Sequence, residues 1–144
     1  MKTNPRPTTT AAHAFTLLEM MIVLLIIAMI LGVVAAGVNG FQQKAEITTT
    51  DAKIQSLVAH LTSYKTIGQM YPTQSQGLNA LITKPGNPTP KRWSPSLKSE
   101  TDLIDAWGTK FLYRYPGSHN PSGFDVYSAG PNRQPDDDDD IGNW

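Results

Sequence analysis

The 144 residues include no cysteine, which removes disulfide frameworks, thiol nucleophiles and Cys-based zinc sites together. Net charge is also lacking, since 12 Lys and Arg stand against 12 Asp and Glu. A protein that holds nucleic acid by bulk positive charge needs an excess to neutralise phosphates, so that class is excluded. Proline is missing from residues 15 to 71, so no ring breaks a helix there. No H-E-x-x-H, G-x-S-x-G or phosphate-binding glycine loop occurs, and the three histidines, His13, His60 and His119, are scattered. They read as surface or packing residues, and the chain as no enzyme.

What is present is concentrated at the start. Residues 1–14 are polar, carry Lys2 and Arg6, and contain no acid. From Met20 to Val38 run 19 uncharged residues, a helix of about 28 Å, close to the hydrocarbon thickness of a bilayer. The alternative is a buried core helix, but a polar remainder of roughly a hundred residues has too little core to wrap one. The positive-inside rule leaves Lys2 and Arg6 in the cytoplasm and sends the rest across. Ala12-His13-Ala14 resembles a signal-peptidase site but precedes the apolar run, so cutting there keeps the helix in the mature chain.

Glu19 interrupts the entry to this helix, where a carboxylate is costly and normally has a partner or a function. One reading places it at the interface within reach of water. The other has the chain cut after Ala14, so that the new amine of Phe15 in one helix pairs with Glu19 of the next and two stranded charges neutralise each other.

Beyond Val38, Ile47, Ile54, Leu57, Val58, Leu61 and Tyr64 keep helical spacing, with Lys53, Gln55 and Lys65 between them. The pattern predicts one helix from Phe15 to Ile67, about 80 Å at the standard rise. Gly37-Val38-Asn39-Gly40 is its weakest stretch, and Gly68 and Pro72 are its stop. Too few heptads are covered for a coiled coil, so the stripe is predicted to pack on the C-terminal domain. There, Tyr71 to Ile82 predicts a turn and a short helix. KPGNPTPKRWSPS is an irregular loop anchored by Trp93. Lys110–Tyr115 and Phe124–Ala129 predict an antiparallel hairpin, and Asp105-Ala106-Trp107-Gly108 a turn with a buried Trp.

Five aspartates, Asp136 to Asp140, precede Ile141-Gly142-Asn143-Trp144. An acidic run is by default a solvated tail, yet one that ends on Ile and Trp has reason to dock back. An ordered loop of carboxylates needs a cation, and flexible oxygen ligands favour Ca²⁺ over Mg²⁺. Asp136, Asp138 and Asp140 have the 1-3-5 spacing of an EF-hand, but Ile141 and the chain end exclude that motif. Bound Ca²⁺ and solvated tail both remain open on the residues alone.

Ala14-Phe15-Thr16-Leu17-Leu18-Glu19 before an apolar run resembles the type IV prepilin segment. With Tyr71–Leu78, Asp105–Gly108, Phe124–Ser128 and Asp139–Trp144 in order, the chain from Ala14 to Trp144 resembles the major pseudopilin (G subunit) family of type II secretion systems. The resemblance implies an α+β, type IV pilin-like fold, in which a long helix packs on a small antiparallel sheet with a C-terminal calcium loop. It also implies a cleaved leader, 1–14; a transmembrane and assembly helix, 15–38; its amphipathic continuation, 39–68; and a periplasmic domain, 69–144. A prepilin peptidase would cut between Ala14 and Phe15, where the family usually has Gly before the cut, and would methylate Phe15. Glu19 would serve assembly.

By the same resemblance Ca²⁺ would be held by the Ala129 carbonyl, Asn132, Asp139 and Asp140, with Asn132 standing where the family usually has Asp. Partners would be copies of the chain, minor pseudopilins, the inner-membrane assembly platform and the membrane. A cytoplasmic ATPase would power export by a periplasmic filament rooted in the inner membrane. The rivals are a subunit of a related type IV pilus or competence filament, and a membrane-anchored periplasmic calcium-binding domain that never polymerises.

Overall fold

A computed structural model describes residues 15–144, with the side chains of 35–39 outside the description. The leader, 1–14, with Ala14, lies outside the described residues. Helix α1 runs over Leu17–Gly68, within two residues of the predicted bounds. Thr16 starts it, its Oγ1 accepting the Glu19 N–H at 3.2 Å. Thr16-Leu17-Leu18-Glu19 therefore has the Thr and Glu of a capping box, and the Glu19 charge lies in the first turn, where the helix dipole favours an anion. The helical assignment carries through Gly37–Gly40, where glycines predict loosening. At the far end, a Cβ on Gly68 would lie 2.9 Å from Pro90 Cβ, so a side chain there would push the proline-rich loop away.

The chain divides into two compact units after Gly40. In the first, the window Leu17–Val34 is long and apolar enough to cross a bilayer and buries none of its residues. In the second, Thr50, Ile54, Leu57, Leu61 and Tyr64 of α1 are buried, at steps of three and four that put them on one face. Ile47 was expected in this stripe but is 40% exposed, because it stands a turn before Thr50, the first fully buried residue among those of α1 whose side chains are described.

The stripe meets Leu78, Ala80, Leu81, Leu103, Phe111, Tyr113, Phe124 and Val126 in one core. Each fully buried aliphatic side chain contributes about 1.5–3 kcal/mol. Side chains of α1 also hold the domain by polar contacts. Lys53 Nζ donates to the Ile104 carbonyl at 2.7 Å, and Thr50 Oγ1 accepts from the Ala106 N–H at 3.3 Å.

Strands β1 (Leu112–Arg114), β2 (Asp125–Ser128) and β3 (Ile141–Gly142) form an antiparallel sheet in the order β1-β2-β3. Register pairs Tyr113 with Val126 and Ser128 with Ile141. The predicted hairpin is therefore present with shorter strands, and β3 is an addition. Along the outer edge of β1, Phe111 N–H donates to the Leu103 carbonyl at 2.9 Å. The Gln74 side chain then takes the place of a strand, donating to the Tyr113 carbonyl and accepting from the Tyr115 N–H, both at 2.8 Å.

Residues 78–81 form a short 3-10 helix within the stretch where one is predicted, and Glu100–Leu103 forms a second, in a stretch that carries no sequence prediction. Trp93 anchors its loop by donating from Nε1 to the Ala80 carbonyl at 2.9 Å. Trp107, in contrast, is only half-buried, and the buried residue of its turn is Asp105. The carboxylate organises that turn by accepting from the Trp107 and Thr109 N–H groups at 3.0 and 2.8 Å.

Candidate functional site

Two places carry the predicted functional residues. At the N-terminal one, Phe15 is 75% exposed and Glu19 is exposed on the first turn of α1. Among the described residues Glu19 makes no ion pair. Its amide is used by Thr16 and its carboxylate is left to the helix dipole and to whatever packs beside it.

The second place is the loop from Ala129 to Asp140. Strand β2 delivers Ala129 buried at its end, and Gly130 turns the chain at φ 60, a left-handed conformation that favours glycine. A Cβ at Gly130 would strike the Asp139 carbonyl oxygen and come within 3.0 Å of Asp139 Oδ2. The two ends of the loop are therefore in contact.

Asn132 is exposed and lies between acids. Its Nδ2 donates to Asp137 Oδ2 and to Asp139 Oδ1, each at 2.7 Å, while its Oδ1 accepts from the Gln134 N–H at 2.6 Å. Asp140 Oδ2 accepts from the Asp136 N–H at 2.8 Å. Arg114 of β1 reaches over to Asp136 at 3.0 Å and also touches the Tyr127 hydroxyl. The hydrogen bond to Asp136 raises the guanidinium further above its ordinary value.

Beyond the loop, β3 returns the chain to β2, and Asn143 clamps it. Asn143 Oδ1 accepts from the Val126 N–H at 2.9 Å and its Nδ2 donates to the Phe124 carbonyl at 3.1 Å. Trp144 ends the chain stacked on His119, 3.9 Å between ring centres. The acidic run is thus part of an ordered loop whose end docks back on the sheet.

The donor chemistry fits a hard cation. Asp140 Oδ1 is buried with no hydrogen-bond partner, an arrangement that costs free energy unless something is coordinated there. Asp139 is pushed above the usual carboxylate range chiefly by its hydrogen bond with Asp137, which is itself held low by that contact and by Asn132. Among the described residues no three His, Cys, Asp or Glu side chains converge as a cage. The acids that the loop gathers are Asp137 and Asp139, bridged by the Asn132 amide nitrogen, and Asp140, whose Oδ1 is unpartnered, while the Asn132 oxygen is taken by the Gln134 N–H.

Asp105, Ser128, Arg114 and Asn143 shape this loop, and the sequence reading missed them. Asp105 and Ser128 were visible only as members of motifs, and their contact joins residues 23 apart.

A long N-terminal helix whose first half is bare and apolar, and whose second half carries a small antiparallel sheet, defines a type IV pilin-like subunit. A family model described as "Type II secretion system (T2SS), protein G" matches residues 38–144, and the "Prokaryotic N-terminal methylation motif" matches residues 10–35. The chain is 37% identical to the type II secretion system core protein G of Pseudomonas aeruginosa over 134 residues, covering 90% of this chain and 93% of that one. It is 39% identical over 133 residues to the core protein G of Dickeya chrysanthemi, covering 92% and 86%. The crystal structure of the major pseudopilin from the type 2 secretion system of enterohaemorrhagic Escherichia coli matches with a TM-score of 0.63 and 32% identity, over 73% of this chain and 91% of that one. This chain belongs to the type II secretion system protein G family.

Proposed function

We propose that the chain is the major structural subunit of a periplasmic pseudopilus that drives protein export. A prepilin peptidase cuts between Ala14 and Phe15 and methylates the new amine. The apolar helices of many copies then leave the inner membrane side by side, with Glu19 of one subunit paired to the Phe15 amine of its neighbour. The C-terminal domain lies in the periplasm, and minor pseudopilins and the inner-membrane platform start and sustain the filament. The subunit catalyses nothing, and energy comes from an ATPase elsewhere. Ca²⁺ held by the Ala129 carbonyl, Asn132, Asp139 and Asp140 closes the 129–140 loop; when bound, the ion supplies the positive charge that lets these carboxylates sit together.

The observation that carries this reading is the junction of two matches on one chain, a methylation motif over 10–35 and protein G over 38–144. The test is co-expression with a prepilin peptidase and the secretion platform, followed by the mass of the mature chain and crosslinking in the membrane. Loss of residues 1–14, one added methyl group and a ladder of multimers are expected. A chain that is cut but stays monomeric would overturn the filament, and an uncut chain would overturn the processing step at Ala14.

A further inference from the structure

The loop is held from behind by a buried pair that the ligand set does not include. Asp105 is 4% exposed and Ser128 is 0% exposed. Asp105 commits Oδ1 to its own turn, accepting from Trp107 and Thr109, and Oδ2 accepts the Ser128 hydroxyl at 2.6 Å. A carboxylate only accepts and a hydroxyl has one proton, so the direction of this bond is fixed. Having donated to Asp105, Ser128 Oγ has only lone pairs left, and it accepts from the Gly130 N–H at 3.1 Å. Ala129 is therefore held on both sides, by Ser128 in the strand and by Gly130 beyond it. Gly130 in turn abuts Asp139.

From this geometry we infer that Asp105 and Ser128 are positioning residues for the metal loop. Through Gly130 they fix the direction of the Ala129 carbonyl and the place where Asp139 returns. The inference rests on the calcium reading above and adds to it the residues that prepare the site before the ion arrives. A pair that only joined a turn to a strand would support the fold equally with and without the ion. A positioning pair acts chiefly on affinity, and removing such outer partners weakens metal binding by about tenfold or more.

The experiment uses the full chain in detergent and compares the parent with Ser128→Ala, Ser128→Thr and Asp105→Asn. Calcium affinity is measured by calorimetry, and Tm in excess EGTA and in saturating Ca²⁺. Ser128→Ala leaves the turn bonds of Asp105 intact but strips its buried Oδ2 of a donor, so its affinity should fall about tenfold and its Tm in EGTA should fall as well. Ser128→Thr keeps the hydroxyl but crowds a buried site, so its Tm should fall while its affinity stays near the parent's. Affinity that follows Tm across the variants, rather than the hydroxyl, would overturn the positioning role. If Ser128→Ala fails to fold, Asp105→Asn decides: it keeps an acceptor for the turn but removes the charged acceptor for Ser128, and unchanged affinity sinks the inference. A parent that binds no Ca²⁺ overturns the calcium reading itself, an outcome distinct from a parent that binds and variants that bind as well.

Discussion

Asn132 reaches Asp139 with its amide nitrogen at 2.7 Å and reaches Asp137 at the same distance. A neutral donor thus sits between two acids, where a third carboxylate would repel both. Asn132 brings no charge of its own into the loop, and its amide nitrogen bridges the two acids. Asn132→Asp should lower Tm in EGTA, because three carboxylates then converge, and raise it in Ca²⁺, because the site gains a charge. Thermal unfolding in both conditions checks this; a variant with the same gap between the two Tm values as the parent would show that position 132 faces no ion.

Asp125 gives a pH dependence of known sign. Burial by itself would raise its pKa, but the N–H groups of His119, Asn120 and Ser118 and the Asn120 side chain outweigh burial and hold it below the usual value. The group therefore stabilises the fold above the ordinary carboxylate pKa, and that stability is lost as pH falls through the lowered value. Asp125→Ala should cost about 3 kcal/mol at neutral pH, since the turn amides lose their acceptor. Urea unfolding across the acid range should also lose part of its slope in that variant.

The helix stripe should divide sharply by burial. Leu61 is 0% exposed and Ile47 is 40% exposed. Leu61→Ala should destabilise the domain by about 3 kcal/mol through lost burial and the cavity it leaves. Ile47→Ala should change stability by less than about 1 kcal/mol, as surface substitutions do. Denaturant midpoints of the two variants read the difference directly.

Glu19 lies in the first compact unit and the folded core in the second. Glu19→Ala should therefore leave the Tm of the domain unchanged while abolishing multimers in membrane crosslinking. A normal ladder from that variant would argue that the carboxylate serves only the first turn of α1.

Much of this architecture can be read along the chain, because it depends on local patterns. The uncharged run, the spacing of Ile54, Leu57, Leu61 and Tyr64, and the aromatic strands each encode an element without reference to distant residues. What could not be read depends on meetings across the fold. Strand β3 is two residues long, Ile141 and Gly142, and exists only because β2 offers an edge to pair with. The Trp107 turn looked apolar in sequence, yet the group taken inside is Asp105, because Ser128 and two turn amides satisfy its oxygens. The predicted ligands Asn132 and Asp139 do come together in space, whereas the residues that hold their loop from behind carry no local signature.

The cover along the edge of β1 has a consequence for how such a molecule can go wrong. Phe111, Tyr113 and Tyr115 would otherwise present the unpaired backbone groups that recruit a foreign strand. Leu103 and the Gln74 amide occupy them, so cross-β stacking of neighbouring domains is discouraged even at high local concentration. One glutamine side chain, with the Leu103 carbonyl beside it, thus does along β1 what a neighbouring strand would otherwise do.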